Sequence, residues 1–306
     1  MLWEVNKMMA AEKVTRAQLL KKYKKKTPMQ ETMARFMKNR LAIVGLILFL
    51  ILLIPTIFAD QIADYEDVAL KINVPNRLKA PTAEHILGTD EMGRDIFARV
   101  LHGARTSLWI AGVATLFALV SGGAIGSFSG YVGGKLDEVI MRLMDVMMCL
   151  PEMLLAIAIV SAWGANTINM ILALGISRIP RFARIVRSSV LTVRTMEYVE
   201  ASRAIGASRL TIIMQHILPN CLGPILVQVT LIFASAILGI SSLSFLGLGV
   251  KPPSPEWGNM LATARVHMRD YPHLVLAPGM AIFLSIFSLN LLGDGLRDAF
   301  DPKLRK

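Results

Sequence analysis

A short polar segment in the second half of the chain has residue types suited to binding another protein. It reads Glu200-Ala201-Ser202-Arg203-Ala204-Ile205-Gly206 and continues to His216-Ile217-Leu218-Pro219-Asn220. The pattern predicts a short helix that ends at Gly206, a second helix from Ser208 to about Ile217, and a chain break at Leu218-Pro219. Small side chains would let a partner's groove approach the backbone. The charges of Glu200 and Arg203 could fix the position of the helix along that groove. These residues indicate a docking helix without a named partner, and a solvated surface turn is the alternative.

The motifs that carry enzyme chemistry do not occur. The Gly134-Lys135 pair has Ser129 where a phosphate loop needs its first Gly, and Leu136 where it needs Ser or Thr. The sequence has no Gly-x-Ser-x-Gly and no His-Glu-x-x-His, and its five histidines lack paired ligand spacing. We therefore expect a protein that is not an enzyme and holds no ATP, metal or cofactor of its own.

Charged residues also lie inside apolar segments. Glu152 follows the helix-bending Pro151, so it either lines a polar cavity, as a possible pathway-lining residue, or pairs with another helix. Arg142 and Asp145, at i and i+3, could partly neutralise each other. Every third residue from Arg178 to Arg187 is an arginine, which is the spacing of a voltage-sensing helix. Because Pro180 interrupts this row, we favour a cytoplasmic helix end with snorkelling arginines.

Composition places these residues in a membrane protein. Of the 306 residues, 54% are hydrophobic and only 18% are charged, and the mean hydropathy is +0.53. A soluble domain would carry about 25% charge, so an ordinary soluble enzyme is disfavoured. The net charge is +11. In a membrane protein, this excess of Lys and Arg is expected beside the cytoplasmic membrane surface rather than in a nucleic-acid-binding face. Cys149 and Cys221 are both expected to be small buried apolar residues.

Six apolar segments have about the length that a hydrocarbon core of about 30 Å requires. The sequence therefore predicts an all-α integral membrane protein with six transmembrane helices. The segments are residues 41–59, 108–128, 139–163, 168–183, 221–248 and 274–292. A short outer helix is also predicted from Asp90, as its N-cap, to Gly103. Gly122 and Gly126, four residues apart within the second segment, are expected to let helices pack closely.

The distribution of Lys and Arg predicts the orientation. A basic tail precedes the first segment and an acidic stretch follows it, so both termini are expected in the cytoplasm. The predicted regions are a cytoplasmic basic N-terminal tail (1–40), a first transmembrane helix (41–59), an extracytoplasmic loop (60–106), a transmembrane core (107–296) with a cytoplasmic loop at about 188–220 that contains the docking helix, and a cytoplasmic C-terminal tail (297–306).

The segment from Glu200 to Pro219 resembles the "EAA" signature of membrane subunits of ATP-binding-cassette (ABC) importers. Ser202 stands where the second Ala is usual and His216 where Ile is usual. The His216 to Asn220 form is similar to the dipeptide, oligopeptide and nickel permease branch. The likeness runs from about residue 35 to the C-terminus and is strongest to the C-type permease. Other matching stretches are Leu87-Gly88-Thr89-Asp90 with Gly93-Arg94-Asp95, Pro253-Ser254-Pro255-Glu256-Trp257-Gly258, and Asn290 to Asp298 with Asp301-Pro302.

This resemblance implies a type I importer fold and several partners. They are a second, B-type permease as heterodimer, one or two cytoplasmic ATPases that carry ATP and Mg²⁺, an extracytoplasmic peptide-binding protein and the lipid bilayer. The Glu200 to Gly206 segment would be the helix that couples ATPase closure to the spans. The outer helix near Gly88 to Arg105 and the loop at Pro252 to Trp257 would face the binding protein or the partner permease.

The resemblance leaves the cargo open. Di- and oligopeptides are the expected cargo, and nickel or another small solute is the alternative. A stand-alone channel or ion-driven carrier is a rival from another class. That reading needs the Arg178 to Arg187 row or Glu152 to carry charge, and it gives the cytoplasmic signature no role.

Overall fold

The structure is a computed structural model that describes residues 28–300 of the chain. Apart from one isolated β-bridge between Thr89 and Asp95, these residues contain helices and no strands, so the predicted all-α class is confirmed. The predicted tails fall largely outside them, at residues 1–27 and 301–306. The helices are α1 (Pro28–Phe36), α2 (Arg40–Ile57), α3 (Ala59–Ile62), α4 (Ile96–Val132), α5 (Gly134–Met148), α6 (Glu152–Trp163), α7 (Thr167–Val193), α8 (Glu197–Ala204), α9 (Arg209–Phe245), α10 (Trp257–Ala264) and α11 (His273–Phe300).

Among the described residues, four helices are long and apolar enough to cross a membrane: α2, α4, α9 and α11. The bent pair α5 and α6 adds a fifth candidate if it is one span. Helix α7 has 27 residues, which is also sufficient length at about 1.5 Å per residue, but its arginines make it less apolar. The six predicted spans therefore correspond to four apolar helices, one bent pair and one charged helix.

The third predicted span, residues 139–163, is not one helix. Helix α5 ends at Met148, α6 begins at Glu152, and their axes differ by 84°. Pro151 has no N–H to continue the α5 ladder and restricts the residue before it. The bend expected at Pro151 is present, and it takes the form of a break between two helices.

The predicted outer helix from Asp90 to Gly103 is also wrong. Asp95, rather than Asp90, is the N-cap of α4, and its side chain accepts the N–H of Ala98 at 2.9 Å. Asp90 instead contacts Arg94 in the preceding turn. The helix continues without interruption to Val132 and so crosses the predicted boundary at residue 107.

Helices α4 and α7 pack closely because α4 carries glycines where they meet. A Cβ on Gly122 would lie 2.6 Å from the carbonyl oxygen of Ile179, and one on Gly126 would overlap the carbonyl of Ala183. Small residues at this spacing let helix backbones approach in lipid. The packing of Gly122 and Gly126 against another helix, expected from their four-residue spacing, is confirmed.

The predicted break at Leu218-Pro219 does not occur, because α9 runs from Arg209 to Phe245. Residues Ile212–Ile217 form a π-helical turn in which the N–H of Leu218 donates to the carbonyl of Ile213. A π turn adds one residue to the helical register and lets the helix pass Pro219, which has no N–H. Asn220 then donates through Nδ2 to the carbonyl of His216 at 2.7 Å.

Candidate coupling segment and intramembrane charges

The predicted docking helix is present as α8, between the ends of α7 and α9. It ends in a left-handed turn at Gly206, whose φ is +84°. The N–H of Gly206 donates to the carbonyl of Arg203 at 3.0 Å, and the N–H of Ala207 donates to the carbonyl of Ser202 at 3.2 Å. These two bonds form a Schellman cap, which requires a residue that tolerates positive φ. The helix end expected at Gly206 is thus produced by its backbone conformation.

One face of α8 is buried and the other is open. Val199 and Ser202 are buried, whereas Glu200, Ala201, Arg203 and Ala204 are exposed. Val199 packs in an apolar cluster whose other buried members come from α7 and α9: Val186, Val190, Val193, Ile212, Ile217, Cys221 and Ile225. Residues three apart share a helix face, so one face anchors α8 to the two long helices and the other remains available.

Two arginines connect this region to the end of α4. The guanidinium of Arg203 lies over the ring of Tyr131, 5.0 Å from its centroid, which is cation–π geometry. Arg194 donates through Nη1 to the carbonyl of Gly130 at 2.7 Å. Arg203, expected to set a partner's register by charge, therefore also has a contact within its own chain.

A set of exposed apolar side chains surrounds α8, and sequence reasoning missed it. Ile205 is 85% exposed and Leu210 is 70% exposed. Met196, Tyr198 and Met214 are exposed as well. Exposed apolar groups that lie together typically mark interaction sites. The available signal was the presence of large apolar residues inside a polar, basic loop.

Glu152 pairs with another helix, one of the two roles considered for it. Its Oε1 lies 2.8 Å from Nη2 of Arg178, whose side chain is 2% exposed. Arg178 also donates to the carbonyls of Leu174 and Ser235. The pair therefore joins the start of α6 to α7 and α9, and the pathway-lining role remains a prediction.

Two further arginines of the predicted row pair with carboxylates of α5. Arg184 contacts Asp145 at 2.5 Å, and Arg187 contacts Asp137 through two hydrogen bonds of 2.6 Å. The i and i+3 spacing predicts Arg142 as the partner of Asp145. In the structure Asp145 pairs with Arg184 instead. The row attaches α7 to α5 and α6 along its length.

The segment from Leu87 to Asp95 folds into compact turns before α4. Asp90 accepts from Nε of Arg94 at 2.7 Å and lies 3.4 Å from Nε of Arg99. Asp95 lies 2.8 Å from Nδ1 of His85, and the hydroxyl of Thr89 donates to the carbonyl of Asn76. The residues of this segment that resemble the permease family, Thr89, Asp90, Arg94 and Asp95, therefore have a structural role at the start of α4.

Glu256 holds the second outer motif in place. Its carboxylate accepts the N–H groups of Gly258 and Asn259, each at 2.9 Å, and the hydroxyl of Ser107 at 3.2 Å. Burial raises the pKa of this fully buried carboxyl above its usual value, although these hydrogen bonds oppose the shift. The indole of Trp257 donates to the carbonyl of Val100 at 2.9 Å, so the loop is joined to α4 at two points.

The cysteines differ from one another. Cys221 is buried, as expected, but Cys149 is exposed, because it lies at the break between α5 and α6 where the helices diverge. No cluster of three or more potential metal ligands occurs within residues 28–300.

The long apolar helices, with ion pairs joining α5, α6 and α7, indicate a polytopic membrane protein. Residues 122–306 match the family described as "Binding-protein-dependent transport system inner membrane component", and the chain belongs to this family. Residues 27–81 match the "N-terminal TM domain of oligopeptide transport permease C", which places the chain with the C-type permeases.

The relatives agree with this assignment. The chain is 44% identical to the dipeptide transport system permease protein DppC of Alkalihalophilus pseudofirmus, over 91% of each chain. It is 42% identical to the di/tripeptide transport system permease protein DppC of Pseudomonas aeruginosa, over 91% of this chain and 93% of that one. It is 43% identical to the glutathione transport system permease protein GsiD of Escherichia coli, over 94% of each.

A solved structure supports the fold. A chain of the inward-facing MetNI methionine ABC transporter matches with a TM-score of 0.55 and 18% identity, covering 66% of this chain and 97% of that one. At this identity the likeness concerns the fold alone, and it is that of an ABC importer permease. The expected type I importer fold is confirmed, and the chain is a multi-pass membrane protein.

Proposed function

We propose that this chain is the C-type permease subunit of an ABC importer that moves di- and oligopeptides across the cell membrane. Relatives over 91% or more of the chain are named as dipeptide, di/tripeptide and glutathione permeases, which supports a peptide cargo. The observation that carries the mechanism is α8: a capped helix, anchored on one face by Val199 and open on the other.

Energy would reach the spans through α8. An ATPase cleft would receive the exposed face with Glu200, Ala201, Arg203 and Ala204, together with the apolar side chains of Ile205 and Leu210. Because Val199 is packed between α7 and α9, a displacement of α8 would move the cytoplasmic ends of both helices together. Leu218 and Pro219 lie within α9 and would transmit that movement along the span.

The remaining subunits follow from this role. A B-type permease would complete the pathway, one or two ABC ATPases would bind and hydrolyse ATP with Mg²⁺, and an extracytoplasmic binding protein would deliver peptide. This chain would supply no ATPase site and no cofactor. Both termini would lie in the cytoplasm, in agreement with the excess of Lys and Arg before α2.

Reconstitution tests the proposal. Vesicles would hold this chain, its partner permease, the ATPases and the binding protein, and would be offered a labelled dipeptide and labelled nickel in parallel. We expect ATP-dependent uptake of the dipeptide, and none when the ATPases carry an inactivating substitution. Uptake of nickel but not of dipeptide would contradict the peptide cargo and still support ATP-driven import. Uptake without ATP would support an ion-driven carrier.

A further inference from the structure

The ion pair of Glu152 and Arg178 meets α7 well away from both ends of that helix. Helix α7 begins at Thr167 and ends at Val193. At about 1.5 Å per residue, Arg178 is about 17 Å from the first end and about 23 Å from the second. With the turn before Thr167 at the outer surface, as the predicted topology requires, Arg178 would lie about 17 Å inside a hydrocarbon core of about 30 Å.

Arg178 is the fixed member of the pair. Its side chain is 2% exposed, and its guanidinium donates to the carbonyls of Leu174 and Ser235, each at 3.3 Å. Gly239 makes room for it, since a Cβ there would lie 3.0 Å from Nη2. The positive charge is thus enclosed by α7 and α9 and cannot be reached by a solute.

Glu152 is the accessible member. Its side chain is 37% exposed, and Oε1 is the oxygen that contacts Arg178. Arg178 is the partner of this carboxylate within residues 28–300, and the remainder of the side chain is open. The break before α6 leaves this side open, because Cys149, Leu150 and Pro151 are all exposed.

An ionised carboxylate facing hydrocarbon is strongly unfavourable, so the exposed side of Glu152 is expected to face water or another subunit rather than lipid. We propose that the exposed side of the Glu152 carboxylate faces the water-filled translocation pathway and binds the α-ammonium group of the peptide as it passes. This inference rests on the proposed peptide import. It assigns the chain one specificity contact, for the positively charged end of the cargo.

The pairing with Arg178 suits a transient contact. Arg178 already offsets most of the negative charge of Glu152, so an ammonium group would gain only a weak additional attraction. A transport pathway needs sites that are favourable enough to enter and weak enough to leave. The enclosed guanidinium offers no corresponding contact for the peptide carboxylate, so the site distinguishes the two ends of the cargo.

The exposed Cys149 allows a test in the natural sequence, since it lies three residues before Glu152. Complexes in nanodiscs, holding this chain, its partner permease, the ATPases and the binding protein, would be treated with water-soluble cationic and anionic thiol reagents. We expect Cys149 to react, and the cationic reagent to react about three- to tenfold faster than the anionic one. The Cys149→Ser variant reports any contribution from Cys221, which is buried.

Two variants isolate the role of Glu152. Glu152→Gln should reduce the cation preference at Cys149 several-fold, whereas Glu138→Gln, which makes the same charge change on the exposed part of α5, should not. Glu152→Gln leaves Arg178 buried without its carboxylate. A buried charge without a partner destabilises the fold. The double variant Glu152→Gln with Arg178→Met removes both charges, so it allows the same measurement without that destabilisation.

Cargo then identifies the ligand. Trialanine should protect Cys149 from the cationic reagent better than N-acetyltrialanine does, and this difference should disappear in both Glu152 variants. A cysteine that is unreactive with and without ATP, an unchanged reagent preference in the Glu152 variants, or equal protection by the two peptides would each overturn the assignment. ATP-dependent uptake of trialanine by the same wild-type complex tests the proposed import separately. Protection by nickel but by neither peptide would reject the ammonium assignment.

Discussion

Arg187 and Asp137 form a two-pronged ion pair in which Nε donates to Oδ1 and Nη2 donates to Oδ2, each at 2.6 Å. Together with the pairs Arg184 to Asp145 and Arg178 to Glu152, this contact neutralises three of the four arginines in the row. Charges that are held by partners on neighbouring helices are unsuited to movement through an electric field. The row therefore attaches α7 to α5 and α6, which removes the main support for a voltage-driven or ion-driven rival.

The geometry of this pair predicts a different response to lysine at two neighbouring positions. Arg187→Lys should lower the free energy of unfolding by about 1–2 kcal/mol, because an ammonium group cannot donate in the planar fork that Asp137 accepts. Arg184→Lys is the matched control: both members of that pair are about half exposed, so the loss should stay within about 0.5 kcal/mol. Unfolding of the purified chain in detergent measures both. Equal losses would show that the fork contributes nothing beyond its charge.

The contact between α4 and α7 gives a second prediction. Gly126→Ala places a Cβ against the backbone of Ala183 and should force the helices apart, with a loss of about 1–3 kcal/mol. Gly123→Ala, one turn earlier on the same helix, meets no atom within 4 Å and should be neutral or stabilising by up to about 1 kcal/mol. Thermal unfolding in detergent compares them. A loss of the same size at Gly123 would mean that helix flexibility, rather than close packing, explains the glycines.

Periodicity and motif spacing predicted the helical class, the α8 helix with its end at Gly206, and the close packing of Gly122 and Gly126. They did not predict where helices break. A proline has opposite effects at two places: Pro151 separates α5 from α6, whereas Pro219 lies within α9 because the π turn at Ile212–Ile217 precedes it. The difference depends on the hydrogen-bond register of the preceding turn, which residue types alone do not specify.

Pairing across the fold was equally difficult to predict. The i and i+3 spacing favoured Arg142 as the partner of Asp145, but Arg184 approaches it from another helix. Local spacing identifies which pairs are possible within one helix, and tertiary packing decides which pair forms. The same limit explains why Glu152 was recognised as unusual while Arg178 was not identified as its partner.

Gly206 provides a test of the coupling role. Gly206→Asp should weaken co-purification of the ATPase without affecting membrane insertion, because a side chain at φ +84° costs about 1–2 kcal/mol and loosens the cap of α8. Gly206→Asn is the milder comparison, since Asn tolerates this conformation better, and it should retain more ATPase. No atom lies within 4 Å of a Cβ at Gly206, so steric overlap does not enter.

Glu200→Arg is the companion variant for the exposed face of α8. It reverses a charge in the first turn of the helix, where a carboxylate is favoured by about 0.3–1 kcal/mol, but leaves the buried Val199 face unchanged. We expect normal insertion and reduced ATPase co-purification. Unaltered co-purification in both Glu200→Arg and Gly206→Asp would contradict the docking role of α8.

The buried carboxyl of Glu256 makes stability depend on pH in an unusual direction. Because burial raises its pKa in the folded chain above the ordinary value of 4.5, the folded state holds this proton more tightly than the unfolded state does. The contribution of Glu256 to stability is therefore greatest below about pH 4.5 and falls as pH rises through the folded pKa.

Glu256→Gln removes the titration, although its amide nitrogen cannot accept the N–H of Asn259, so its absolute stability should be lower. The informative quantity is the free energy of unfolding of the wild type minus that of Glu256→Gln, measured in detergent from pH 4.5 to 7.5. We expect this difference to decrease with increasing pH. An increase would mean that the hydrogen bonds from Gly258, Asn259 and Ser107 outweigh burial and favour the charged carboxylate.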